Sequence, residues 1–174
     1  RPSFSPEEFR KLEATSLARL SDPDIHEHLR WDRTVLHAQM MIGAFSGMRP
    51  TEMKNLNWGD VLGYRGKRQS PRQERDITIR VRGKGKSREF VAQDAALSWF
   101  DVLWKFWVDH QGRDPKDTDP VLATRDGKRF GSSKKGLAGL LTQCGLLHDY
   151  RGVKRTMYSF RHFYISQQLA HGVD

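Results

Sequence analysis

The sequence predicts an α+β fold that is mainly α: a helical domain with a small antiparallel β-sheet. Three observations predict it. Capped segments with apolar residues at helical spacing recur along the chain. One pair of alternating segments flanks a glycine-bounded turn. The 174 residues are 37% hydrophobic and 29% charged, a globular rather than a disordered balance.

Ser5-Pro6-Glu7-Glu8 is a strong helix start: Ser5 can cap, Pro6 suits the first helical position and Glu8 completes a capping box. Phe9, Leu12, Leu17 and Leu20 carry the expected apolar stripe, and Asp22-Pro23-Asp24 breaks it. A second helix is expected from about Asp32 to Phe45, with Val35, Ala38, Ile42 and Phe45 on one face, ended by Gly47. A short helix follows over Pro50 to Asn55. Trp58 to Leu62 reads as a strand, and Gly63 to Arg75 as a polar loop rich in arginine and lysine. Ile77 to Val81 and Arg88 to Val91 form a β-hairpin around Gly83-Lys84-Gly85-Lys86-Ser87.

Asp94 is expected to cap a long helix through about Val108, with Leu97, Phe100, Leu103, Trp104 and Trp107 as a core face. Gln111 to Pro120 is a polar linker too short to mark a domain boundary. Val121-Leu122-Ala123 reads as a short strand before a turn at Asp126-Gly127. Ser132 or Ser133 opens a helix through about Gln143, His148 to Thr156 is a basic loop, and Ser159 caps a last helix ending near His171.

The net charge of +9 points to a polyanionic partner, nucleic acid before an anionic membrane, because no helix sets a continuous basic face against a broad apolar one. Cys144, the single cysteine, excludes an internal disulfide and a cysteine metal cluster; its leucine neighbours mark it as a core thiol. His26 and His28 are two apart and do not share a helical face, so no metal site is expected. With no signal peptide and no stretch able to cross a bilayer, the expected location is the cytoplasm. The abrupt start at Arg1 and the stop at Asp174 suggest a piece of something longer.

Three points along the chain carry chemistry. In Gly47-Met48-Arg49-Pro50-Thr51-Glu52 an arginine starts a short helix, with Glu52 three residues on and able to hold it. Orphan helix N–H groups and a guanidinium suit an anion, since a guanidinium matches phosphate through two parallel hydrogen bonds. The same hexapeptide also reads as a surface arginine paired locally with Glu52. Lys84, between two glycines at the hairpin tip, can reach into a groove or give a proton to a leaving oxygen; it also reads as a solvated turn residue. In Tyr158-Ser159-Phe160-Arg161-His162, Arg161 falls in the first turn of a helix that Phe160 and Phe163 anchor, so it projects outward. His162 reads equally as a functional or a buried structural histidine.

Arginine, lysine and arginine in this order, in these contexts, resemble the catalytic domain of the tyrosine recombinases, the phage-integrase family. The first arginine box is similar to Gly47 to Glu52 followed by Leu56, Trp58, Asp60 and Val61. The hairpin lysine matches Lys84, and the second arginine box, usually His-x-Leu-Arg-His, resembles Tyr158 to His162. The resemblance covers nearly the whole chain. It implies the DNA breaking-rejoining fold over residues 1–174, without the family's amino-terminal DNA-clamping domain and its carboxyl-terminal segment.

The resemblance implies site-specific DNA recombination, as in integration, through a 3′-phosphotyrosyl intermediate. Arg49 and Arg161 would clamp the scissile phosphate, Lys84 would be the general acid and Glu52 would support Arg49. Tyr158 stands where the family usually has histidine; a phenol is a poor base at neutral pH, so it would hold the phosphate or the nucleophile. The nucleophilic tyrosine is expected after Asp174, so these residues alone would be inactive. Tyr64, Tyr150, Tyr158 and Tyr164 all precede that place. No metal or cofactor is required. The implied partner is double-stranded DNA, with the full-length protein acting as a tetramer on two duplexes, in bacteria on nucleoid DNA and as part of a phage or mobile element. Arg65, Lys67, Arg68, Lys86, Lys134, Lys135, Lys154 and Arg155 are the candidate backbone contacts. Two other functions fit the same residues: a recombinase-like module that binds DNA without cutting it, and a type IB topoisomerase.

Overall fold

The structure, a computed structural model, describes residues 1–83 and 85–172. Lys84, the expected proton donor, therefore lies outside the described residues, as do Val173 and Asp174. The chain folds as two compact units, one made of residues 1–47 with the segment from Ser132 onward, the other of Met48–Gly131. The polar segment 111–120 lies inside the second unit. The architecture is mainly helical with one three-stranded antiparallel sheet, as the sequence predicts.

The first unit is a helical cluster of α1 (Pro6–Leu20), α2 (Glu27–Ser46), α6 (Lys134–Gln143) and α7 (Tyr158–Ala170). Its start is the expected capping box: Ser5 Oγ accepts from Glu8 N at 3.1 Å, and Ser5 N donates to Glu8 at 2.9 Å. The buried face of α1 is Phe9, Leu12 and Ser16; Leu17 is exposed, because Ser16 turns inward to meet His37 of α2 at 2.7 Å. Helix α2 begins earlier than expected, capped by His26, and is buried almost all round from Thr34 to Ala44. That burial identifies it as the helix around which α1, α6 and α7 pack. Phe9 stacks on Phe163 of α7 with centroids 4.4 Å apart, and Phe4 packs against Phe160 at 5.0 Å. Each such ring removed from water contributes about 1.5–3 kcal/mol. Cys144 is a buried thiol, as expected.

The second unit holds α3 (Pro50–Asn55), β1 (Val61–Leu62), α4 (Tyr64–Lys67), β2 (Thr78–Gly83), β3 (Lys86–Val91) and α5 (Asp94–Gln111). The sheet order is β1-β2-β3, with Val81 opposite Arg88 and Gly83 opposite Lys86. Helix α5 buries Leu97, Phe100, Leu103, Trp104 and Trp107, the face that the spacing predicts.

Four expectations are corrected here. Trp58 to Leu62 is not one strand: Trp58–Asp60 is a 3₁₀ turn, because Asp60 reaches back to the Asn57 N–H at 3.1 Å, and only Val61–Leu62 pairs with β2. The segment 63–75 is not wholly loop. Gly63 takes a left-handed φ of 81° and starts α4, whose Tyr64 is fully buried against Trp58 and Trp104 and donates to Asp101. Residues 121–123 form no strand but one isolated bridge, Ala123 to Arg129, closed by a turn at Gly127. Finally, Ser159 does not cap α7. It lies inside the first turn, fully buried, and its hydroxyl accepts from the Thr156 N–H at 3.1 Å.

Candidate phosphate-binding site

Half of the predicted site lies in the second unit, where Glu52 organises it. Pro50 starts α3 at its first position and leaves Arg49 extended as the N-cap, with φ −70° and ψ 148°. One turn on, Glu52 faces back. Its Oε2 accepts the Arg49 N–H at 2.8 Å and its Oε1 accepts Arg49 Nη1 at 2.9 Å. The helix start is therefore occupied by the chain's own carboxylate, so attraction for an external anion falls to the guanidinium rather than to free N–H groups.

Glu52 has a second partner that the sequence reading misses. Arg88 Nη2 of β3 lies 2.9 Å from Glu52 Oε2. The signal for it is strand alternation: Arg88 shares a face with Phe90 and lies opposite buried Val81, so its stem lies on the face that covers the core and its guanidinium can reach a carboxylate there. The Glu52 side chain is only 3% exposed, whereas Arg49 and Arg88 are 47% and 43% exposed. Burial pushes the Glu52 carboxyl up, but the Arg49 N–H and the two guanidinium groups outweigh it and hold it below the usual carboxylate range. The site thus keeps Glu52 ionised between two arginines and is left with one net positive charge.

The other half lies in the first unit. Arg161 is in the first turn of α7, part-buried, and its Nη1 donates to the carbonyl of Gly47. It is thus tied back to the chain rather than simply projecting outward. Gly47 ends α2 with a left-handed φ of 64°, and a Cβ there would lie 2.5 Å from the Tyr164 ring. Glycine is required on both counts. Tyr158 is 42% exposed, and its ring centroid lies 6.1 Å from that of His162. Burial, then the positive charges of Arg1 and Arg161, lower the His162 pKa. A neutral imidazole is favoured there.

The peripheral basic residues divide. Lys86, Lys134, Lys135 and Lys154 are exposed. Arg65 is exposed but shared with Asp117 at 3.1 Å and the Pro115 carbonyl at 2.7 Å. Lys67 lies 3.9 Å from Asp76, and the Arg65 and Arg68 guanidinium groups sit over the Trp104 ring at 5.2 and 5.1 Å. Arg155 is a correction. It is 4% exposed and is consumed internally by Glu8 and by the carbonyls of Ser3, Leu146 and His148, so it cannot meet a DNA backbone. Among the described residues no group of three or more His, Cys, Asp or Glu is placed to hold a metal, and no helix is long and apolar enough to cross a membrane.

No protein-family model matches the sequence, and no curated protein matches it. Solved structures do. The XerA recombinase aligns over all of this chain and 53% of its own, at 20% identity and a TM-score of 0.65. The XerH site-specific recombinase bound to difH substrate, a pre-cleavage complex, aligns over all of this chain and 45% of its own, at 19% identity and a TM-score of 0.67. XerH in a post-cleavage complex with palindromic difH covers 99% of this chain and 43% of its own, at 20% identity and a TM-score of 0.67. The chain spans about half the length of these structures. At this identity the likeness establishes the fold, which is that of the tyrosine recombinases.

Proposed function

We infer that the chain is the catalytic domain of a site-specific DNA recombinase of the tyrosine type, with Arg49 and Arg161 as its phosphate clamp. What supports this reading is that each arginine is held within its own unit, Arg49 by Glu52 and Arg161 by the carbonyl of Gly47. In the proposed reaction a tyrosine hydroxyl attacks phosphorus as its proton passes to water. The new bond joins phosphorus to the phenolic oxygen, and the bond to the 5′-oxygen breaks. Lys84 gives that leaving oxygen a proton. The guanidinium groups offset the charge that builds on the phosphoryl oxygens. The phosphodiester energy stays in the 3′-phosphotyrosyl link, and the 5′-hydroxyl of a second strand reverses the step.

The nucleophile is none of Tyr64, Tyr150, Tyr158 and Tyr164, but another tyrosine of the full-length protein. Tyr64 is buried, and its phenol is pushed far above its ordinary pKa by burial and by Asp101. Tyr158 instead contacts the phosphate or the incoming phenol, and Glu52 and His162 support the arginines. Lys86, Lys134, Lys135 and Lys154, with Arg65, Lys67 and Arg68, follow the DNA backbone. The full-length protein acts as a tetramer on two duplexes. A phenol at Tyr158 also suits a module that grips DNA without cutting it.

The test is in two parts. Duplex DNA binding by this chain, followed by fluorescence anisotropy, is expected to weaken steeply with salt; binding that ignores ionic strength would overturn the DNA reading. In the full-length protein, Arg49→Ala and Arg161→Ala are each expected to abolish strand cleavage. Near-normal cleavage by either variant would remove the clamp, and a wild type that binds but never cleaves would leave the binding module.

A further inference from the structure

Arg88 has no part in the scheme so far, yet it is the second arginine on the Glu52 carboxylate. A brace for Glu52 alone would not require it. Arg49 already satisfies both carboxylate oxygens, one through Nη1 and one through its backbone N–H. Adding Arg88 leaves two cations on one buried anion. Each guanidinium gives Glu52 a single nitrogen, and among the described residues the remaining nitrogens of Arg49 and Arg88 make no hydrogen bond. Both arginine side chains are nearly half exposed, which leaves a ligand room to approach them.

The geometry also limits the spacing. The two bonded nitrogens sit 2.9 Å from opposite oxygens of one carboxylate. They are therefore at most about 8 Å apart, two hydrogen-bond lengths plus the width of a carboxylate. One tetrahedral phosphate accepting a charge-assisted hydrogen bond from each arginine spans a similar distance. Strand pairing holds the second arginine in place, since Arg88 lies opposite Val81 in the β2–β3 ladder. Uncharged or cationic ligands do not fit a cluster with a surplus positive charge. A singly charged oxyanion of the phosphodiester class neutralises it.

We propose that Arg88 is a second phosphate-binding arginine of the Arg49 half-site, with Glu52 holding both guanidinium groups so that one phosphate receives a hydrogen bond from each. The identity of the phosphate as a DNA phosphodiester rests on the recombinase reading; the paired-arginine site itself does not.

The test uses two probes on this chain. In duplex DNA binding across a salt series, Arg88→Ala is expected to lower the slope of log affinity against log salt by about 1, and Arg88→Lys to restore the slope but not the full affinity. An Arg88→Ala slope equal to wild type, whatever the loss of affinity, would overturn the proposal, since a purely structural arginine weakens binding without removing a phosphate contact. In the wild type, inorganic phosphate followed by NMR of the arginine side-chain N–H groups is expected to shift Arg49 and Arg88 together. A shift of Arg49 alone, or of neither, would overturn it even if Arg88→Ala does not fold. If phosphate shifts both but duplex DNA does not bind, the recombinase reading fails and the paired-arginine site stands.

Discussion

Arg155 Nη2 lies 2.9 and 2.8 Å from the two carboxylate oxygens of Glu8, joining residues 147 positions apart in the sequence. The same Glu8 closes the capping box of α1, so one carboxylate serves both the helix start and the basic segment before α7. Arg155→Ala leaves Glu8 and the carbonyls of Ser3, Leu146 and His148 without their donor, and is expected to cost about 3–5 kcal/mol. Arg155→Lys recovers only part of this, because an ammonium cannot serve so many acceptors in the plane of a guanidinium. Urea unfolding at neutral pH measures both; a loss under about 1 kcal/mol would mean that the pair behaves as an ordinary surface ion pair.

Gly47→Ala combines two penalties. The left-handed φ of 64° costs a residue with a Cβ about 1–2 kcal/mol, and the Cβ would meet the Tyr164 ring at 2.5 Å. A double-mutant cycle with Tyr164→Ala separates them: the steric part is expected to vanish in the double variant and the dihedral part to remain. Simple additivity of the two substitutions would show that the ring is not the obstacle.

His37 is fully buried beside Ser16, and burial lowers its pKa to about 4. The unfolded chain binds this proton near pH 6.5 and the folded protein only near pH 4, so stability falls as pH drops through that window. The full loss is about 3 kcal/mol. Chemical denaturation between about pH 7 and pH 4 checks it, with His37→Gln expected to flatten the curve; an unchanged slope in that variant would assign the pH dependence elsewhere.

Glu52 has the same sign, in a more acidic window. Its carboxyl is held below the usual range, so its ion pairs stabilise the fold above the unfolded pKa of about 4.3 and are lost as pH falls through the lower folded value. Glu52→Gln is expected to cost about 1–3 kcal/mol at neutral pH. The difference from wild type should close in strong acid. A gap that persists there would point to packing rather than charge.

Local features are legible in the sequence because neighbours along the chain determine them. The Ser5 to Glu8 capping box, the Arg49 to Glu52 pair and the α5 core face all depend on spacing within a turn or two. Arg155 misleads because its basic surroundings resemble an exposed loop, while its partner Glu8 lies at the other end of the chain. Arg88 escapes notice for the same reason: Glu52 is 36 positions away, and only strand alternation hints that the two share a face. Tyr64 is hidden in a polar stretch because its anchor, Asp101, belongs to α5.

The chain leaves its first unit at Gly47 and returns to it at Ser132. During synthesis, residues 48–131 are complete before the first unit has its second segment. The inserted unit can therefore close its core while α1 and α2 still lack α6 and α7. At translation rates of about 5–20 residues per second the wait lasts several seconds, long enough for the apolar faces of α1 and α2 to stand open to water and to other chains. The order of manufacture thus makes the early helices, rather than the sheet, the stretch that most needs shelter on the ribosome.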